Sequence, residues 1–79
     1  MNIKVQFFGM VAELVGMESL QIEAFNGSLL REVETHLLQE YPSLGSLTYS
    51  MSLNKQIVSG DASLGDYNEI ALLPPFSGG

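Results

Sequence analysis

The sequence predicts an α+β domain: a mixed sheet of four to five strands with one main helix packed on one face. Three observations carry the prediction. Short stretches of alternating apolar residues occur toward both ends of the chain, one long run at helical spacing lies between Leu29 and Tyr41, and the most apolar strand-like stretch, Glu69–Leu73, comes last. Seventy-nine residues with 46% hydrophobic content are enough for one core and too few for a deep enclosed active site.

Residues 2–8 read N-I-K-V-Q-F-F, with Ile3, Val5 and Phe7 on one face and Lys4 and Gln6 on the other, a half-buried strand. Phe8 breaks the alternation and is expected under the following loop. Between Gly9 and Gly16, Val11, Leu14 and Val15 share one side of a helix of one to two turns. Residues 18–25 alternate again, with Leu20, Ile22 and Ala24 inward, and predict a second strand antiparallel to the first. Asn26, Gly27 and Ser28 form a turn in which Ser28 is the expected N-cap of the long helix. Arg31 stands where a full capping box would need glutamate. Leu29, Leu30, Val33, Leu37, Leu38 and Tyr41 line that helix's apolar face, and Pro42 ends it.

Residues 42–46 read as a loop. The alternation from Leu47 to Leu53 predicts a third strand in its C-terminal part, and Asn54–Gln56 a tight turn into a short strand over 57–59. Leu64 is expected to anchor a one-turn segment. The apolar run Glu69–Leu73 belongs in the middle of the sheet beside the first strand. Two strands, a crossing helix, shorter strands and a final buried one make the β-grasp arrangement. The domain is expected over 1–75, with a flexible Gly-Gly tail over 76–79.

Three lysines and arginines (Lys4, Arg31, Lys55) against nine acidic residues leave a formal charge of −6. Phosphate backbones would repel such a body, so nucleic acid is excluded as a partner and proteins with basic faces are favoured. No apolar run approaches the ~20 residues of a membrane span, and no basic-then-apolar leader opens the chain, so a cytoplasmic protein with no membrane contact is expected. There is no cysteine, hence no thiolate nucleophile or thiolate metal site. The single histidine, His36, has no ligand partner near it in sequence and reads as a surface residue, while Tyr41, Tyr49 and Tyr67 read as core edges. No catalytic residue, metal site or bound cofactor is expected.

One reactive candidate remains, the carboxylate of Gly79. Pro74 and Pro75 remove backbone donors and end the last strand. The four residues beyond them reach roughly 13 Å when extended, enough to enter another protein's cleft. Gly78 and Gly79 can thread a narrow channel, with Ser77 beside them. A carboxylate with a pKa near ~3.5 is ionised and a poor electrophile, so it needs activation, most simply as an acyl-adenylate. Phe76 is the candidate anchor in a docking surface with Pro74 and Pro75. Phe7 and Leu73 extend that surface if they are not core, and core is the favoured reading for both.

The blocks I-K-V-Q-F-F-G (3–9), E-L-V-G (13–16), S-L-L-R (28–31), L-N-K (53–55) and above all D-Y-N-E-I-A-L-L-P-P-F-S-G-G (66–79) resemble the sulfur carrier family typified by the small subunit of molybdopterin synthase, with thiamine-pathway carriers as more distant relatives. The resemblance covers almost the whole chain and implies a ubiquitin-like β-grasp fold. It also implies that a ubiquitin-activating-type adenylyltransferase uses ATP to adenylate Gly79 and that a sulfur donor protein converts it to a thiocarboxylate. The tail then delivers sulfur to precursor Z in the active site of the large synthase subunit, within a heterotetramer. Departures from the family pattern fall at Leu72 and Leu73, where aromatics are common, at Ala12, where a basic residue is, and at Phe76, where a smaller aliphatic is; they bear on docking rather than chemistry. Other openings are a carrier for thiamine or tRNA thiolation, a protein modifier, and an inert interaction module.

Overall fold

The computed structural model describes residues 1–75. Five strands, β1 (Ile3–Phe7), β2 (Ser19–Ile22), β3 (Ser50–Leu53), β4 (Gln56–Ile57) and β5 (Asn68–Leu73), form one sheet in the order β2-β1-β5-β3-β4. Two α-helices accompany it, α1 (Gly9–Val15) and α2 (Leu30–Glu40), with a 3-10 helix at Pro42–Ser46. The sheet is mixed: β1 and β5 run parallel at its centre and the other neighbours pair antiparallel. This is the β-grasp arrangement expected from the element order.

Register explains which face is buried. Side chains of paired residues share a face, so Ile3, Val5 and Phe7 stand with Asn68, Ile70 and Leu72 of β5, with Leu20 and Ile22 of β2, and with Met51 and Leu53 of β3. Leu30, Val33 and Leu37 of α2, together with Val11 and Leu44, close over that face. Phe7 meets Tyr41 edge to face, ring centroids 6.4 Å apart. Leu44 in the 3-10 helix is fully buried, so the Pro42–Ser46 segment expected as loop is part of the core floor.

Several local expectations change. Helix α1 turns Val11 and Ala12 inward with Val15, leaving Leu14 exposed. It closes on Gly16 in the left-handed region (φ +86°), whose N–H donates to the Ala12 carbonyl at 2.9 Å. Strand β2 stops at Ile22 because Ala24 adopts φ +55° and points to solvent. Tyr67, expected at a core edge, is exposed.

The start of α2 lies one residue later than expected. Leu29, not Ser28, is the N-cap, which puts Glu32 at N3. Its carboxylate accepts from the backbone N–H groups of Ser28 and Leu29, both at 2.9 Å, and these bonds hold its pKa below the usual carboxylate range. The next free donors find the 60–64 loop: Leu30 N–H bonds the Ala62 carbonyl (2.9 Å) and Arg31 N–H the Gly60 carbonyl (2.8 Å). The loop turns at Gly60 and Asp61, where Ala62 N–H donates to the Ser59 carbonyl (3.1 Å), and then bridges Leu29 through Ser63, so Leu64 packs on the core from this bridged stretch rather than from a one-turn segment.

Candidate functional site

The β1–β5 ladder ends where Phe8 N–H donates to the Leu72 carbonyl at 3.2 Å. Leu73 is the last strand residue, and exposed Pro74 and Pro75 lead away from the sheet. Gly9 sits at φ +57°, and a Cβ built there would lie 2.9 Å from Cγ of Pro74. The root of the tail thus rests on the first residue of α1, where a side chain would have to push the Pro74 ring back. Phe76, Ser77, Gly78 and Gly79, the tail residues singled out from the sequence, lie outside the described residues.

The face of the sheet away from α2 carries the rows Ser19–Gln6–Ala71–Ser52–Ile57 and Gln21–Lys4–Glu69, with Ser50 beside Leu73. Ala71 and Ser52 are small and sit low between longer neighbours, at 9% and 6% exposure, whereas Ile57 on the edge strand is 53% exposed. Phe8 continues the extended backbone of β1 (φ −126°, ψ 150°), so alternation turns its ring to this same face, next in register to Leu73. Phe8 is 43% exposed and Leu73 half-buried. Phe8, Leu73 and Ile57 are therefore apolar side chains on one open face beside the tail root.

This corrects the docking expectation in one place. Phe7 is buried, 2% exposed, because it shares the core face with Leu72 and Tyr41; Phe8 is the exposed phenylalanine at the tail root. Leu73, Pro74 and Pro75 do lie at the tail root. Phe8, expected under the following loop, is instead exposed, and Ile57 stands out from the sequence only as the start of a short strand. The signal for Ile57 was the two-residue turn before it, which fixes its face, and for Phe8 the continuation of the β1 alternation by one residue.

A shallow depression of about 580 Å³ opens between this face and α1, lined in part by Lys4, Gln6, Phe8, Gly9, Glu13 and Ser19. It holds no histidine and no nucleophile paired with a base, and its charged groups are those of an ordinary solvated edge. Among the described residues no three His, Asp or Glu side chains are grouped to hold a metal ion. His36 is half-buried and packs its ring edge to face on Phe25, centroids 6.0 Å apart. The positive end of α2 is taken up by Glu32 and by loop carbonyls, so it offers no donors to an anion. Asp61 bonds the Ser59 hydroxyl, which lowers its pKa, in a surface turn by Arg31. No helix among the described residues is long and apolar enough to cross a membrane.

Comparison with known proteins points the same way. The family model described as "ThiS family" matches residues 5–79. The molybdopterin synthase sulfur carrier subunit of Caenorhabditis elegans is 34% identical over 82 residues, spanning 99% of this chain and 98% of that protein. Among solved structures, the complex of subunits 1 and 2 of the molybdopterin-converting factor from Helicobacter pylori contains a chain 29% identical, with a TM-score of 0.70 and full coverage of both chains. SAMP1 from Haloferax volcanii has the same fold, with a TM-score of 0.82 at 19% identity and full coverage of both chains.

Proposed function

The chain belongs to the ThiS family, and from that premise we propose that it is the sulfur carrier subunit of a molybdopterin synthase. The observation that carries the proposal is an exit without a reaction centre. The last strand is clamped at the middle of the sheet between β1 and β3, and the chain then leaves through two exposed prolines beside Phe8 and Leu73 of the open face. The domain is a handle and the tail its reagent, so the chain is no enzyme on its own.

A ubiquitin-activating-type adenylyltransferase transfers AMP from ATP to the Gly79 carboxylate, releasing pyrophosphate. The persulfide of a sulfur donor protein then attacks the acyl-adenylate and AMP leaves. A thiol attacks the resulting acyl disulfide, breaks its S–S bond and goes off as a disulfide with the donor, so that Gly79 ends as a thiocarboxylate. ATP is bound by the activating enzyme, and the carrier holds no cofactor of its own. Phe8, Leu73 and Ile57, with Pro74, Pro75 and Phe76, dock on the large subunit while Ser77, Gly78 and Gly79 thread into its active site. Burying such apolar anchors at about 25 cal/mol per Å² is the main source of affinity. The acidic body steers toward a basic rim. A cytoplasmic location, where ATP and the activating enzyme would meet the chain, fits this reading.

The test is intact-mass measurement after incubation with ATP, an activating enzyme and a sulfide source. The expected result is the mass gain of one oxygen exchanged for sulfur, lost when Gly79 is deleted. An unchanged mass, or isopeptide adducts to lysines of other proteins in its place, would overturn the proposal.

A further inference from the structure

We propose that the outer face of α1, formed by Met10 and Leu14, is a second docking surface and packs against the large synthase subunit beside the root of the tail. The inference rests on the sulfur-carrier reading and adds a surface which that reading leaves unused. Six large apolar residues stand exposed among the described residues, and three of them, Phe8, Met10 and Leu14, fall within residues 8–14. Scattered singly, such residues need no explanation; gathered together, they mark an interaction surface. Met10 and Leu14 are 67% and 42% exposed, and their i, i+4 spacing puts them on one side of α1. Val11, Ala12 and Val15 take the opposite side into the core. A helix this short is held by its packing, so folding gains nothing from a methionine and a leucine on the outside.

Topology sets this face at the end of the molecule where the tail begins. Strands β1 and β5 run parallel with Phe7 opposite Leu72, so the turn into α1 and the exit through Pro74 leave the sheet at the same end. The place of a Cβ on Gly9, 2.9 Å from Pro74 Cγ, brings the first turn of α1 against that exit. The depression lined by Phe8, Gly9, Ala12 and Glu13 joins α1 to the open face. A protein that closes on Phe8, Leu73 and the prolines therefore reaches α1 without crossing other ground.

Size selects the large subunit over the activating enzyme as the occupant. Subunits of a lasting complex share the larger and more apolar kind of interface, whereas an enzyme that loads the carrier and releases it at each turnover works with a smaller one. Phe8, Leu73, Ile57, Pro74, Pro75 and Phe76 are six anchors where a standard interface engages about 20–30 residues a side. The outer face of α1 is the adjoining apolar surface.

The experiment compares the full chain with a double variant, Met10→Gln with Leu14→Gln, both replacements being good helix formers. Titration calorimetry against the large subunit gives Kd, and adenylation by the activating enzyme gives KM. The double variant is expected to raise Kd about tenfold or more, with KM within about twofold and the urea midpoint nearly unmoved. Tyr67→Gln removes a ring as exposed as Met10 at the opposite end of β5 and is expected to leave Kd within about twofold. Contact itself is read from the Met10 methyl resonance, identified by its loss in Met10→Gln. A soluble relaxation agent should broaden that signal in the free chain, and the large subunit should shield it. An unaltered Kd in the double variant, an equal loss in Tyr67→Gln, a rise in KM in place of Kd, or a methyl still open to the agent in the complex would each overturn the inference and leave the carrier reading standing. If the unaltered chain binds no large subunit, the carrier reading fails and the inference with it.

Discussion

Phe7 and Phe8 are neighbours in sequence with opposite fates: Phe7 is 2% exposed beneath α2 and Phe8 is 43% exposed on the open face. Phe7→Ala is expected to cost about 3–5 kcal/mol by leaving a cavity against Tyr41 and Leu72. That is a large share of the total stability of a domain this size. Phe8→Ala is expected to change stability by less than about 1 kcal/mol and to weaken binding to a large synthase subunit about tenfold or more. Urea unfolding and titration calorimetry separate the two; a destabilised Phe8 variant with unaltered binding would contradict the assignment.

Ile57 is an exposed apolar side chain on the edge strand of the same open face, separated from Phe8 and Leu73 by small and polar residues. Ile57→Glu places a charge there without touching the core, so unfolding should move little while association falls by a factor of ten or more. Surface plasmon resonance against the large subunit measures it.

The turn between β3 and β4 runs through Asn54 and Lys55 at φ +51° and +72°. Left-handed conformations cost a side-chain-bearing residue roughly 1–2 kcal/mol, and turns of this kind favour Asn-Gly. Lys55→Gly is expected to stabilise the domain by up to about 1 kcal/mol, seen as a higher urea midpoint with an unchanged slope.

Tyr49 donates a 2.6 Å hydrogen bond to Glu34 of α2, and partial burial with this carboxylate beside it pushes its pKa above the usual phenol value. Absorbance titration should show a late phenol phase above the usual tyrosine range, and Tyr49→Phe should remove it. Because the folded-state value is raised, the stability from Tyr49 is complete below the ordinary phenol pKa and is lost as pH rises through the folded value.

Glu32 behaves in the opposite sense. Its folded-state pKa is lowered by the Ser28 and Leu29 N–H groups. The stability it contributes is therefore present above the ordinary carboxylate range and lost as pH falls through the depressed value. In acid titrations followed by circular dichroism, Glu32→Gln should flatten the pH dependence of the unfolding midpoint below about pH 4.5.

Much of this molecule was legible because its periodicities are clean. Ile3, Val5 and Phe7 alternate without a break, Leu30, Val33 and Leu37 hold helical spacing, and Ile70 and Leu72 sit in the most apolar strand, so the core and the central place of β5 follow from the pattern alone. The errors fell where long-range contacts override local signals. Leu44 is core because α2 and the 3-10 helix enclose it, which no loop composition announces. The helix start moved from Ser28 to Leu29 because loop carbonyls from Gly60 and Ala62, some thirty residues away, satisfy its donors. At the candidate site the prolines were readable, while Leu73, favoured as core, stands half-buried on the open face because it follows core-facing Leu72 by one residue. The close approach of Gly9 and Pro74 was not readable, since it joins residues from opposite ends of the chain.

The parallel pairing of β1 with β5 has a consequence for biogenesis. The slot at the centre of the sheet stays empty until the last strand has been synthesised, because neither β2 nor β3 can substitute for it. Nascent or truncated chains thus lack the cooperative unit that, on the sulfur-carrier proposal, would hold out the end to be loaded. An enzyme that loads only what this scaffold holds out would, by that alone, spend no nucleotide on unfinished molecules.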